Sequence, residues 1–356
     1  MPLPGVACRQ RSVAWHRFLI VAALVVASDP VGAQPKGLPW RIDSTAVFGL
    51  GLNLGLVSAC DLGPDGSVFV LDYSNVALLR ISPDGRLMWK RGKQGRGRGE
   101  FIRPTRLAVA ANGEILVYDA ATAELSSFSG DGEFQGLIAL PLLFHQLDDI
   151  VILPSGLVAI SGIVRELTNA PTDALRSSIH IFRKQALALD YVRSFGPLPD
   201  VHDPAVLRYW GSGFLSSAPN SVLLFARKLP YEVFRFLENG TVVDRITLDD
   251  SIATGPDDFI HVTREATTTR FTNSQKDVPV PARLISVGDY DLGGLIRATG
   301  RSLDVFHDHD RLISTTMPPG WIMPIGFDRR RSVLWILGAK DKHPALFREH
   351  LVFARH

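Results

Sequence analysis

Cysteine is nearly absent from this chain. Cys8 and Cys60 are the only two in 356 residues. They are too few for a disulfide framework, and no CxxC pair or Cys/His spacing suits zinc. Charge of one sign is missing as well. Lys plus Arg total 38 and Asp plus Glu 36, a formal net charge of +2, which is too balanced to imply nucleic acid or an acidic polymer as the partner. No apolar run reaches the ~20 residues that a membrane-spanning helix needs. Helical periodicity is lacking too. Apolar residues alternate with a period of two, and 23 Pro and 31 Gly are spread through the chain. Nor is there a GxSxG nucleophile elbow, a P-loop or a DxDxDG calcium loop.

The N-terminus reads as an export signal. Arg9, Arg11 and Arg17 form a positive region, residues 18–27 are apolar, and Val31-Gly32-Ala33 places small residues before a cut at Gln34. The apolar run is too short for a comfortable span. The expectation is a signal peptide over 1–33 and one exported domain over 34–356, periplasmic or extracellular, with no stable membrane span after cleavage. No Cys stands at the cut, which argues against a lipoprotein. Cys60 is then the one thiol left. In an oxidising compartment a lone thiol is better hidden, so it is expected in the innermost strand of the first repeat.

What the chain does have is a repeat. Asp65-Gly66, Asp72 and Asp84-Gly85 are followed, each 47 residues later, by Asn112-Gly113, Asp119 and Asp131-Gly132. Asp-Gly or Asn-Gly between short apolar runs is a strong hairpin signal, read here as two-residue type I′ turns. Two hairpin turns per repeat make four short strands. Four antiparallel strands every 40 to 50 residues are the mark of a β-propeller blade. The later pattern weakens but continues, giving six blades in an all-β, six-bladed propeller of four-stranded antiparallel sheets. A strand near 40–48 precedes the first repeat and is expected to complete the last blade. The last blade itself reads as strands at 323–327, 333–337, 345–349 and 351–353. The insertion 164–177 reads as a loop, and 249–281 as too polar for a further hairpin.

The run Gly95-Arg96-Gly97-Arg98-Gly99-Glu100-Phe101-Ile102-Arg103-Pro104, followed by the apolar 107–109, resembles the join between blades in NHL-repeat proteins. Ile115-Leu116-Val117-Tyr118-Asp119 is similar to that family's second strand. The resemblance covers about residues 57–138. It implies a six-bladed propeller, usually a binding platform and occasionally a metal-dependent hydrolase or lyase.

The chemistry-bearing residues divide by position. Asp72 and Asp119 recur with the repeat, so they read as turn caps rather than a site. His307-Asp308-His309-Asp310 is dense in ligand atoms, but it falls at an outer hairpin turn, and two histidines leave a metal site incomplete. Asp148-Asp149, Asp249-Asp250 and Asp257-Asp258 read as loop charges. Tyr209, Trp210 and Trp321 could form a stacking platform or pack between blades. The segment 86–106 carries eight cations against Glu100. Within it Arg91, Lys93, Arg96 and Arg98 are the candidate ligand-binding residues, on what reads as a solvated interblade loop. The resulting expectation is a monomeric, non-catalytic binding or protein-interaction module of the cell envelope. It takes a protein or glycan ligand, with no nucleic acid, no metal and no cofactor. The alternative is a metal-dependent hydrolase or lyase of the gluconolactonase-like or amidating-lyase-like propeller type.

Overall fold

Alternating apolar residues bounded by Pro-Asp-Gly and Asn-Gly produce short twisted strands, and the structure assembles them into blades. In the computed structural model the described residues are 38–166, 170–198, 212–228, 231–247, 260–265, 268–273, 280–297, 300–307 and 310–353. The signal segment expected over 1–33 lies outside them. Six four-stranded antiparallel sheets are present, together with one two-stranded hairpin. The innermost strands, one per blade, are Val57–Leu62, Pro104–Val109, Phe144–Ile152, Gly213–Ala218, Val280–Val287 and Trp321–Asp328. They contact one another in a ring, and that ring lines the central channel.

The turns differ from the type I′ geometry expected. Gly66 N–H donates to the Gly63 carbonyl at 2.9 Å and Gly63 N–H to the Ser67 carbonyl at 2.7 Å. Positive φ is confined to the glycine, at 84°. This is a type I turn closed by a left-handed glycine. Pro64 favours that turn because its ring holds φ negative at the first central position. Asp65 completes it by accepting the Ser67 N–H at 3.0 Å.

The core is six apolar layers rather than one, each trapped between neighbouring blades. Between the second and third blades Leu116, Tyr118 and Leu125 meet Phe144, Ile160 and Phe182. Five comparable layers fill the other interfaces. Each blade therefore buries two faces only when both neighbours are present. Cys60 sits on the first inner strand and is 2% exposed, as expected for the lone thiol. Burial pushes its pKa up to about 12, against the pull of Arg283.

Ring closure joins the two ends of the chain. The strand Trp40–Phe48 pairs antiparallel with His343–Phe353 and forms the outer edge of the sixth blade. His343–Phe353 is one long strand, not the two expected at 345–349 and 351–353, because the fourth strand is supplied by the N-terminal segment. Phe48 then reaches across to the first blade. A Cβ added to Gly85 would stand 1.9 Å from the Phe48 ring. Arg348 lies over the same ring at 5.0 Å and donates to the Pro83 carbonyl at 2.5 Å. The same device recurs: Trp89 packs on Gly132, and Phe195 on Gly240. At these three interfaces an outer strand rests an aromatic on the glycine of the next blade's outer turn. The segment 249–281 holds the two-stranded hairpin Ile260–Glu265 and Thr268–Asn273, contrary to the expectation that it was too polar.

Phe48→Ala is expected to cost about 2–3 kcal/mol in denaturant unfolding. Gly85→Ala, at a φ of 80° and under the ring, is expected to cost at least about 1 kcal/mol. Their double mutant should be more stable than additivity predicts by about 1 kcal/mol, since removing the ring relieves the clash. Strict additivity would contradict the contact.

Candidate functional site

In a four-stranded antiparallel blade, the first-to-second and third-to-fourth connections lie at one end of the strands. The second-to-third connection and the crossing to the next blade lie at the other. On the first end every described connection is a tight turn, as at 63–67, 82–86, 110–114 and 129–133. The second end receives 92–103, and the strand ends that bound the three longest intervals, Val164 and Ile179, Phe195 and Gly213, and Thr247 and Val280, also lie there. All the long connections therefore share one face of the ring, which we term the loop face. Loops positioned by a rigid scaffold are where binding residues concentrate.

The basic segment on this face is ordered, not the solvated coil expected. Phe101 is 1% exposed and anchors the excursion in the layer between the first two blades. Gly95 N–H donates to the Phe101 carbonyl at 2.9 Å, and Phe101 N–H to the Lys93 carbonyl at 3.0 Å. Glu100 folds back to accept the Gly97 N–H at 2.8 Å and pairs with Lys93 at 3.0 Å. These contacts hold its carboxyl below the usual range. Arg91 pairs with Glu133 at 3.2 Å and lies over Trp89 at 5.8 Å. Arg98 is exposed, with its guanidinium 5.8 Å from the Phe134 ring. Arg96 is exposed. Of the four candidates, then, Arg91 and Lys93 are engaged by carboxylates, while Arg96 and Arg98 project.

Asp72 and Asp119 brace this face from below. Asp72 accepts N–H groups of Gly55 at 2.8 Å and Asn75 at 3.0 Å. Asp119 accepts those of Ile102 at 2.5 Å, Arg103 at 3.0 Å and Ala121 at 2.8 Å. The repeated aspartates thus cap turns, and Asp119 fixes the end of the basic excursion.

The channel carries charges that the sequence reading missed. Asp148 and Asp149 are not loop charges: they stand on the third inner strand, 0% and 2% exposed. That strand begins earlier than the apolar run, and a register shift between Leu147 and Asp149 lets consecutive carboxylates both be buried. Asp148 Oδ2 accepts the Ser212 N–H at 2.5 Å and hydroxyl at 3.1 Å, while Lys228 Nζ donates to Oδ1 at 2.6 Å. Arg106 Nε donates to the Asp148 carbonyl. Asp149 accepts the Leu215 N–H of the fourth blade at 3.1 Å. Asp61 accepts the Val109 N–H of the second blade at 2.8 Å. Arg283, from the fifth blade, stands 3.8 Å from Asp61 and 3.9 Å from Asp149. Burial raises both carboxyls above the ordinary range, and Arg283 opposes the rise.

This arrangement does not fit a bound divalent cation. A guanidinium already lies between the two carboxylates, and each carboxylate is committed to the next blade's backbone. Among the described residues no group of three or more His, Cys, Asp and Glu side chains could hold a metal. His307 lies against Tyr290, ring centroids 5.0 Å apart, at an outer turn. Residues 308–309 fall outside the described residues, as do Tyr209, Trp210 and the acidic pairs at 249–250 and 257–258. Trp321 is buried between the fifth and sixth blades, so it packs rather than stacks. One signal could have found the channel pair. Asp61 and Asp149 each precede the first residue of their turn, Gly63 and Leu153, by an even number, which puts both on the same strand face.

A family model described as a 6-bladed beta-propeller matches residues 62–154. The chain folds as a six-bladed β-propeller. Similar solved structures include a candidate exported protein from Bacteroides fragilis, at 10% identity and TM-score 0.58, covering 88% of this chain and 95% of that one. A gluconolactonase from Xanthomonas campestris is 14% identical with TM-score 0.55, over 92% and 96% of the chains. Virginiamycin B lyase from Staphylococcus aureus is 11% identical with TM-score 0.51, over 87% and 99%. At these identities the likeness concerns the fold. No curated protein matches the sequence. Among the described residues no helix is long and apolar enough to cross a membrane.

Replacing Lys228 by Met would strand the Asp148 carboxylate, 0% exposed. The expected loss is about 3–5 kcal/mol in denaturant unfolding. Adding Asp148→Asn should recover part of it. Unchanged stability in Lys228→Met would contradict a structural ion pair.

Proposed function

We propose that the protein is an exported, non-catalytic binding module of the cell envelope, with its ligand, a protein or a glycan, on the loop face. The observation that carries this reading is the segregation of every long connection to one face, together with an ordered cationic excursion there. Arg96 and Arg98 would make the primary contacts, and Arg91 and Lys93 would set the local potential. Steering by such a patch raises encounter rates and weakens with salt. The join's similarity to NHL repeats and the export-type N-terminus support the same reading. So does the channel, whose ionisable side chains are spent on neighbouring blades. A signal peptide over 1–33 and a single domain over 34–356 belong to this proposal, as does a periplasmic or extracellular location. The lyase and gluconolactonase among the similar structures share the fold, and no residue set of theirs is carried over.

The test is capture from solubilised cell-envelope fractions, with the double reversal Arg96→Glu/Arg98→Glu compared against Asp289→Lys, exposed in the fifth blade's first turn on the opposite face. The double reversal should reduce capture about tenfold or more, in line with losing two charge-assisted contacts, and added salt should weaken capture by the native protein. Asp289→Lys should leave capture unchanged. Equal capture by the native and doubly reversed proteins would overturn the proposal.

A further inference from the structure

The backbone closes the loop-face end of the first three blades in the same way. Tyr73 N–H donates to the Leu56 carbonyl at 2.8 Å, Ala120 N–H to the Arg103 carbonyl at 2.9 Å, and Arg165 N–H to the Leu143 carbonyl at 2.8 Å. The rung recurs, but its side chains do not. The second blade places Arg103 on it, and the third places Arg165. Arg106 stands on the second inner strand, directly across from Tyr118 on the next strand. Its Nε reaches the Asp148 carbonyl of the third blade. Tyr118 belongs to the apolar layer between the same two blades, together with Phe144.

These three guanidinium groups are tethered to main-chain carbonyls rather than to carboxylates. Arg103 donates from one terminal nitrogen to the Ala120 carbonyl at 2.9 Å, and Arg165 from Nε to the Phe144 carbonyl at 3.2 Å. Arg106 adds a bond to the Thr105 carbonyl at 2.7 Å. None of the three side chains forms an ion pair with a described residue. A guanidinium carries five N–H donors, so most of the fork on Arg103 and on Arg165 is unspent, and both residues are exposed. The neighbouring carboxylates do not absorb these donors. Asp119 is filled by the N–H groups of Ile102, Arg103 and Ala121. Asp149 feels Arg106, but Arg283 also counters it at 3.9 Å. Glu166, next to Arg165, is exposed and forms no ion pair with a described residue.

Tyr118 gives the junction a focus. It is 6% exposed, and its hydroxyl has no hydrogen-bond partner among the described residues, yet it is not sealed from solvent. Burial raises its pKa above the ordinary phenol value, Arg165, Arg103 and Arg106 pull it down, and Asp119 pushes it up. All three guanidinium groups therefore lie within electrostatic reach of one hydroxyl, which stays protonated at neutral pH and can donate. A planar carboxylate has two oxygens, which a single guanidinium fork satisfies. Donors arriving from four side chains suit a tetrahedral group with three or more oxygens.

We propose that the loop-face junction of the second and third blades binds a tetrahedral oxyanion, a phosphate group free or carried as a monoester, held by Arg103, Arg106, Arg165 and the Tyr118 hydroxyl. Arg96 and Arg98 take no part, so the site stands or falls independently of the protein or glycan reading above.

The probes are inorganic phosphate, phenyl phosphate and acetate, each titrated calorimetrically into the purified protein. About 0.15 M chloride, with a Debye length of ~8 Å, limits effects of distant charges. Phosphate should saturate at one per chain, and acetate should not. Phenyl phosphate binding at least as tightly as phosphate identifies a monoester as the source, and its exclusion identifies the free ion. Arg165→Ala should weaken phosphate binding about tenfold or more, and Arg165→Lys should weaken it less. Tyr118→Phe should weaken it about threefold or more with the denaturant midpoint unchanged, because the hydroxyl makes no bond within the described fold. Arg96→Glu/Arg98→Glu should leave the affinity within about twofold of native at this salt concentration. The inference is overturned if phosphate does not saturate, if acetate binds equally well, or if either Arg165→Ala or Tyr118→Phe binds phosphate as the native protein does.

Discussion

Arg283 is the residue on which the centre of the ring depends. Two carboxylates, Asp61 and Asp149, come from the first and third blades. Asp149 is buried and Asp61 partly buried, and desolvation raises the pKa of each. Without a counter-charge, the two anions would repel each other and resist desolvation. The guanidinium of the fifth blade stands within 4 Å of both (3.8 and 3.9 Å) and joins blades that share no sheet. The carboxylates in turn clasp the backbone of the following blade, at Val109 and Leu215. A network of this kind stabilises one arrangement of blades over others, and that specificity is bought with desolvation.

The rest of the ring repeats the same logic with other groups. Lys228 and Ser212 of the fourth blade hold Asp148 of the third. At the rim, Arg80 and Trp89 of the first blade donate to the Gly130 carbonyl of the second, at 2.8 and 3.2 Å. Arg193 of the third donates to Asn239 of the fourth at 3.2 Å. Apolar layers provide most of the driving force between blades, and these polar contacts set the register. The N-terminal strand then closes the circle, so the sixth blade is built from both ends of the chain.

Much of the fold was legible because its turns are chemically distinctive. Pro64-Asp65-Gly66 and Asn112-Gly113 announce hairpins, and their recurrence announces blades. Proline also decided the turn type, since a negative φ at Pro64 excludes the mirror-image geometry. The hairpin at 260–273 was not legible from apolar content. Its β-branched residues, Thr263, Thr268, Thr269 and Thr272, were the better guide, since strand propensity does not require an apolar residue. The channel site was the least legible part. Asp148 and Asp149 gain their meaning from Lys228 and Arg283, which are brought close only by closing the ring. The excursion at 92–103 stands out in the sequence by its charge, yet its order comes from Phe101 and Glu100, residues that the charge pattern made look incidental.

The most direct test is the pH dependence of stability in Arg283→Met. A carboxyl whose folded pKa is raised contributes stability that is fully present below its unfolded pKa and lost as pH rises through the folded value. Removing Arg283 raises the folded values of Asp61 and Asp149 further. The variant should therefore be less stable than the native protein at pH 7 by about 2 kcal/mol or more. The difference should shrink progressively as the solution is acidified toward pH ~4 and both carboxyls take up protons. A variant as stable as the native protein at pH 7, or a deficit that does not change with pH, would contradict the claim that these channel charges hold the ring together.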